Sequence, residues 1–409
     1  MNTAPDTPDS PSTPAELPEL RLKRGEERRL AAGHLWVFSN EVDTARTPLT
    51  AFKPGALCRV VSDRERFLGY AYVNPHSLIS ARILGRSPAH PPSKSLLVHR
   101  LQVAQSLRRA LYEKPFYRLV YGESDGLPGL VLDRFGDVVV GQIATAGMEA
   151  LRPQIEAAVR KVIDPAALVW KNDAGVRELE GLPHYVETVF GDAPDSVAVE
   201  EGGVQYQVPL GGGQKTGWFF DQAANRLALR KYVGGARVLD VFSYLGAWGL
   251  GALKAGATEA TCVDSSALAL EQLRASAAAN GLKPAVLKGD AFEVMEALHA
   301  EGRRFDVVVI DPPAFIKRKK DIPKGEAAYK RLNQLAMQLL ERDGILVSCS
   351  CSYHLEPDHL LSAIQRGARH LGRFVQVVEV GGQAPDHPIH PAIPETRYLK
   401  AFFCRVVTE

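Results

Sequence analysis

Residues 347–355, VSCSCSYHL, place two cysteines, Cys349 and Cys351, one residue apart at the end of an apolar run. The pair has three chemical readings: core filler, metal ligands or a nucleophile. A disulfide between positions i and i+2 is geometrically awkward. With His354 the pair supplies three metal-ligating side chains, but no partner C-x-x-C or H-x-x-x-H stands elsewhere in the chain, which argues against a metal. Cys58, Cys262 and Cys404 lie inside β-like runs and read as core. Cys349 reads the same way. Cys351 stands past the apolar run, where a nucleophile would need to be.

A second set of residues suits a nucleoside. Asp240 ends the apolar run RVLDVF, Asp264 ends EATCVD 24 residues later, and Asp290 follows PAVLKG. A carboxylate in the second position typically accepts from ribose hydroxyls, and one in the third can accept from an adenine amino group. The first acid would repel a pyrophosphate and suits a cationic amino-acid ligand. G-x-G-x-x-G and the Gly-rich lysine loop are both absent from the first turn. S-adenosylmethionine carries a sulfonium, an α-amino group, a ribose and an adenine, and so matches three acids in this order. The alternative is that the aspartates are helix N-caps. Candidate cofactor contacts are Asp240, Phe242, Ser243, Tyr244 and Gly246, then Asp264 and Ser265, then Asp290 and Ala291, and finally Asp311. The last opens IDPPAF (310–315), where two prolines stiffen the turn and fix the direction of the aspartate.

A thiolate facing that donor has a specific use. Carbon 5 of a pyrimidine is a poor nucleophile, and a thiolate added to carbon 6 turns it into an enamine-like one. Cys351 is the candidate nucleophile. Asp311 is its candidate partner, hydrogen-bonding the cytosine edge at ring nitrogen 3 or the amino group. Lys317 and Arg318 are candidate cations to favour the thiolate.

Elements must hold these residues at one edge. From about residue 200, short apolar strands alternate with helical stretches: strands at 237–242, 259–264, 284–289, 305–310, 344–349, 374–380 and 398–407, and helices at 246–255, 266–280, 291–301, 326–342 and 355–370. This pattern predicts an α/β fold with a parallel, seven-stranded, Rossmann-like sheet covered on both faces. A long loop without a helix joins the last two strands, so that pair is expected to be antiparallel. Upstream, residues 20–88 read as a small β-barrel and 96–195 as a small α+β domain, with a helix near 96–113 and another at 149–162. Residues 1–19 hold five prolines and read as a disordered tail.

The chain has 409 residues, 45% hydrophobic and 23% charged, with no apolar run long enough to span a membrane. Its five scattered cysteines are no disulfide framework, and a reducing cytoplasm is expected. The net charge of +2 does not itself imply a polyanionic partner, but basic residues cluster in 21–30, 99–109 and 316–320.

Taken in order, KRGEERRLAAGHLWVFSNEV, GESDGLPGLVLDRFGD, GQKTGWFFDQAANR, DVFSYLGAWGL, IDPPAF, SCS and PETRYLK give the chain a strong resemblance to the bacterial 23S ribosomal RNA 5-methylcytosine methyltransferases. The resemblance spans roughly 20–409. It implies a PUA barrel that binds RNA, a small α+β domain and a class I methyltransferase domain (200–409). S-adenosylmethionine would be the cofactor. The partner would be 23S ribosomal RNA or a large-subunit precursor, and a homodimer is a further expectation. It implies Cys351 as the motif cysteine, Asp311 as the D-P-P aspartate, and Asp264 and Asp290 at the cofactor. Lys23, Arg24, Arg28 and Trp36 in the barrel, Lys215 and Asp221 in GQKTGWFFDQ, and Pro312, Phe315 and Lys317 become candidate RNA contacts. The sequence departs at Gly246-Ala247-Trp248, where relatives commonly show Gly-Gly plus Phe; the larger ring is expected to narrow the cofactor turn. Three alternatives remain: methylation of guanine or adenine without a covalent step, a non-catalytic RNA-binding or ribosome-assembly protein, and a small-molecule methyltransferase.

Overall fold

The computed structural model describes residues 17–211 and 216–408. Most of the proline-rich tail lies outside the described residues; its last member, Glu19, opens a strand. Five strands, Glu19–Arg21, Trp36–Phe38, Ala56–Val61, Phe67–Val73 and Ile79–Gly85, form the first sheet. Its outer strands are the first two, and a bridge between Leu22 and Val42 ties those edges together. The sheet thereby curls around Leu20, Val37, Val60, Ala71 and Ile83.

The helix Lys94–Leu111 leads into a second five-stranded sheet, Phe116–Tyr121, Leu130–Phe135, Val138–Ile143, Ala167–Asn172 and Tyr185–Phe190, with neighbours in chain order. Only the third and fourth strands pair in parallel, and a helical crossover joins them. Sequence periodicity suggested one helix at 149–162. The structure breaks it into Ala146–Ala150 and Arg152–Val162. Pro153 lacks an N–H and sits at the start of the second piece, the place a helix tolerates it.

A hairpin, Ser196–Glu201 and Val204–Pro209, precedes the large sheet. That sheet has strands β1 (Arg237–Val241), β2 (Glu259–Asp264), β3 (Ala285–Lys288), β4 (Phe305–Ile310), β5 (Leu340–Ser350), β6 (Arg373–Gly382) and β7 (Lys400–Thr408). The helices between them are α1 (Ala247–Lys254), α2 (Ala267–Ala279), α3 (Ala291–Ala300), α4 (Ile322–Gln338) and α5 (Pro357–His370). The spatial order is β3-β2-β1-β4-β5-β7-β6, with β1 to β5 parallel and β7 antiparallel to both neighbours. This is the expected doubly wound fold. Its order reverses between β1 and β4, and ligands bind at the carboxyl ends of the strands there.

One boundary differs. The expected helix 326–342 is α4, shifted four residues toward the N-terminus. Leu339 and Leu340 fit a helical stripe, yet Leu340 already pairs with Phe305 of β4. Gly344 therefore does not stop a helix. It lies in a bulge of β5, where a Cβ would crowd Asp306 O and Leu340 Cδ2, each 3.0 Å away.

Polar contacts join the three parts. Trp36 Nε1 donates to Glu123 at 2.9 Å. Arg108, fully buried, grips both oxygens of Asp125 and donates to Asp386 O in the loop between β6 and β7. Among the described residues no helix is long and apolar enough to cross a membrane.

Candidate active site

The turn after β1 carries unusual backbone. Phe242 and Tyr244 adopt φ of 65° and 48°, and Gly246 follows at 79°. Left-handed backbone costs a non-glycine residue roughly 1 kcal/mol or more, so the turn needs local anchors. Ser243 N donates to Val263 O, Gly246 N to Ser243 O, and Tyr244 N to Asp264 Oδ2, at 2.7–2.9 Å. Only glycine fits at 246, because a Cβ would lie 2.6 Å from Leu273 Cγ.

The three aspartates do different things. Asp290 is a helix N-cap, its Oδ1 accepting from Phe292 N and Glu293 N, while the side chain stays exposed. Asp264 is no cap: it binds Tyr244 N through Oδ2 and Ser266 N through Oδ1, tying the first turn to the second, and Ser266 caps α2. Ser265 beside it is exposed and Ala291 beside Asp290 is buried. Asp240 is fully buried, and its Oδ2 accepts from Gly249 N of α1 at 2.9 Å. Its Oδ1 and the buried Ser243 Oγ have no hydrogen-bond partner among the described residues. Unpaired buried polar atoms at the switch point fit a polar ligand bound there. A donor with a cationic amino-acid end and a ribose is such a ligand.

Burial pushes the Asp240 carboxyl up to about 7; the charges of Asp311 and Asp264 add to this, and the Gly249 N–H opposes it. A folded-state value above the unfolded one means the folded protein holds a proton that the unfolded chain releases. Stability is then lost as pH rises from about 4 to about 7. The variant Asp240→Asn lacks that loss. Its stability relative to wild type should rise by roughly 2–3 kcal/mol between pH 5 and pH 8, at about 1.4 kcal/mol per unit. Melting curves of both proteins across this range check it; parallel profiles would refute the assignment.

The opposite wall is the D-P-P loop and the S-C-S triplet. Ser350 and Ser352 are buried, and both hydroxyls bond the Tyr329 hydroxyl of α4, at 2.8 and 3.0 Å. Ser352 Oγ also accepts from Ile316 N, which fixes the D-P-P loop to the triplet. Two clamped serines leave the central residue to face the rim. Cys351 is half-buried, with Sγ 4.0 Å from Pro312 O. All four other cysteines are buried. Cys349 packs beside Val309, Val347 and Trp248, and burial raises its thiol well above the usual range. The C-x-C pair is thus one core residue and one rim residue.

Asp311 is partly buried. Gln222 Nε2 donates to its Oδ1 at 2.8 Å and Trp248 Nε1 to its Oδ2 at 3.1 Å. Burial lifts its carboxyl to about 6, against these two hydrogen bonds. Trp248, the larger ring expected to narrow the cofactor turn, is buried in the β1–β4–β5 core with its Nε1 on Asp311. Gln222 and Trp248 were missed as site residues.

The segment ahead of Gln222 lies against the cofactor turn: Tyr244 Oη donates to Gly217 O at 3.1 Å, and Phe219 packs edge-on to Tyr244. Lys215 falls outside the described residues. Asp221 is 4% exposed and accepts from the Tyr398 hydroxyl, so it is an interior bond and not an open RNA contact. Pro312 is buried, and Phe315 is half-buried against Tyr329, near Phe242 and Phe292. Lys317 and Arg318 are exposed, and Arg318 pairs with Asp321. In the barrel Lys23, Arg24 and Arg28 are exposed, whereas Trp36, expected as a stacking ring, is engaged by Glu123, His34 and Phe38. Among the described residues no group of three or more His, Cys, Asp or Glu is placed to hold a metal.

Comparison with known proteins agrees with this architecture. Residues 20–86 match the family model of a PUA-like domain, and residues 181–403 that of an S-adenosylmethionine-dependent methyltransferase. The ribosomal RNA large subunit methyltransferase I of Cronobacter sakazakii is 37% identical over 395 residues, covering 95% of this chain and 99% of its own. That of Klebsiella pneumoniae is 37% identical over 402 residues, covering 97% and 100%. Among solved structures, a methyltransferase complexed with SAH superposes with a TM-score of 0.81 at 21% identity, over 95% of this chain and all of its own. A SAM-dependent methyltransferase from Streptococcus mutans gives 0.79 at the same identity and coverage. The PUA-like barrel, the matching methyltransferase domain and near-complete alignment with these relatives place the chain in the ribosomal RNA large subunit methyltransferase I family of S-adenosylmethionine-dependent methyltransferases.

Proposed function

We propose that the chain methylates carbon 5 of a cytosine in 23S ribosomal RNA, or in a large-subunit precursor, through a transient bond between Cys351 and the base. One observation carries the reading: Cys351 is the single cysteine not buried, and the structure clamps it between two anchored serines against the Asp311 loop. S-adenosylmethionine supplies an electrophilic methyl group on a sulfonium. Asp240, Ser243, Tyr244 and Gly246 on the first turn, Asp264 and Ser265 on the second, and Asp290 and Ala291 on the third would hold it. The Cys351 thiolate adds to carbon 6 of cytosine, and the ring electrons move to carbon 5 and toward nitrogen 3. Asp311 meets the growing charge at nitrogen 3. Carbon 5 takes the methyl group, a base removes its proton, and the thiolate departs as the double bond re-forms.

Recognition of RNA is assigned to local basic surface, since the chain is close to neutral. Lys23, Arg24 and Arg28 on the barrel and Lys317 near the rim are exposed cations suited to phosphates. Phe315 and the stiff Pro312 turn would bound the base pocket.

Trapping tests the reading. In ribosomal RNA carrying 5-fluorocytidine, carbon 5 bears no removable proton, so the adduct cannot resolve. Wild-type protein with S-adenosylmethionine should give a denaturant-stable protein–RNA adduct, mapped by mass spectrometry to Cys351. An adduct elsewhere, or methylated guanine or adenine in ordinary ribosomal RNA with no adduct, would defeat the proposal.

A further inference from the structure

Lys400 begins β7, in the PETRYLK motif. It is 8% exposed. Its register partner across the β5–β7 pair is Ser350, the residue before Cys351. Its Nζ donates at 2.6 Å to the carbonyl of Ser352, the residue after Cys351. The ammonium thus sits under the triplet from which the thiol projects. Among the described residues no carboxylate lies within 4.0 Å of it, and a buried cation without a counter-charge is costly.

We propose that Lys400 is a positioning residue whose ammonium holds Cys351 in the thiolate form and fixes the chain that follows it. The catalytic meaning of this rests on Cys351 being the nucleophile. The chemistry is ion pairing: the thiol proton leaves to solvent, and the resulting sulfur anion is the counter-charge that Lys400 lacks. The groups acting on Lys400 agree. Burial lowers its ammonium to about 8, the negative form of Cys351 is the largest opposing influence, exposed Glu356 adds to that, and Arg397 acts the other way. Tyr329, which also feels Cys351, stays neutral because burial raises its hydroxyl to about 12. Lys400 is thus a buried cation bonded to the residue after Cys351, whereas Lys317 and Arg318 are exposed. The arrangement has a pH window: the pair exists above the thiol's pKa and weakens as Lys400 loses its proton near pH 8.

Alkylation reads the thiol directly, because the other four cysteines are buried. Full-length protein without RNA is treated with iodoacetamide from pH 5.5 to 9.5, and the rate at Cys351 is followed by mass spectrometry. The variants are Lys400→Met, Lys400→Gln and Lys400→Arg. Removing the charge should move the Cys351 profile upward by about one unit, a roughly tenfold slower alkylation near neutral pH, and Lys400→Arg should restore most of the rate. Superposable profiles for wild type and a folded charge-removing variant would overturn the proposal; Lys400→Gln serves if Lys400→Met does not fold. Methyl transfer by Cys351→Ala is measured alongside. If that variant remains active while the Lys400 profiles shift, the nucleophile reading falls and the ion pair stands. If it is inactive and the profiles do not shift, the ion pair falls alone.

Discussion

Cys351→Ala should lose methyl transfer by about ten-thousandfold or more, the scale on which removal of a covalent nucleophile acts. Its affinity for S-adenosylmethionine, measured by calorimetry, should stay within about twofold, since Cys351 is not among the residues assigned to hold the donor. Its melting temperature should hardly move, because a half-buried side chain leaves little cavity. Cys349→Ala is the control with the opposite signature. That side chain is fully enclosed by Val309, Val347 and Phe403, so its truncation should cost about 1–2 kcal/mol of stability and leave turnover largely in place. The two cysteines are two residues apart, and the contrast separates chemistry from packing at almost one point in the fold. Residual activity in Cys351→Ala above about a tenth of wild type would remove the covalent step. The base-amino methylation reading would then be the better one.

The parts legible in the sequence are those encoded locally. β1, β2 and β4 are continuous apolar runs ended by an acid or a proline, and their observed bounds lie within a residue of the expected ones. Cys351 was separable from Cys349 because one lies inside an apolar run and the other beyond it. What was not legible depends on contacts distant in sequence. Trp248 finds Asp311 across 63 residues, and Lys400 finds Ser352 across 48. No spacing rule announces either, although both lie inside motifs singled out for other reasons. Lys317 and Arg318 were favoured because they follow the D-P-P loop in the chain, and the fold turned them to solvent. Trp36 shows the same limit: an exposed-looking aromatic among basic residues serves as a joint between two domains. α4 was misplaced because two leucines fit a helix and a strand equally well, and only pairing with β4 decides between them.

The second large effect concerns Asp311. As the thiolate adds to carbon 6, charge grows at nitrogen 3, and a carboxyl group can meet it with a proton only while it holds one. Burial brings the Asp311 carboxyl to about 6, close enough to neutrality for that role. Asp311→Asn keeps the shape and the ability to donate a hydrogen bond but cannot transfer a proton. It should lower kcat by about a hundredfold to ten-thousandfold, the usual range for general acid–base catalysis. The pH dependence of kcat/KM should be bell-shaped in wild type, rising as the thiol ionises and falling as Asp311 does, and Asp311→Asn should lack the falling limb. Trp248→Phe gives the sign. The indole N–H bonds the charged form of Asp311 and so lowers its pKa. Removing that donor must raise the pKa, moving the falling limb up in pH by about one unit, with most of the turnover retained. The phenyl ring is smaller than the indole and leaves a cavity in the β1–β4–β5 core, so a melting curve of the variant accompanies the pH profile and separates a shifted limb from a collapsed site. A limb that stays in place, or moves down, would mean that Asp311 acts as an ionised acceptor for the cytosine amino group, and the proton to nitrogen 3 would have to come from elsewhere.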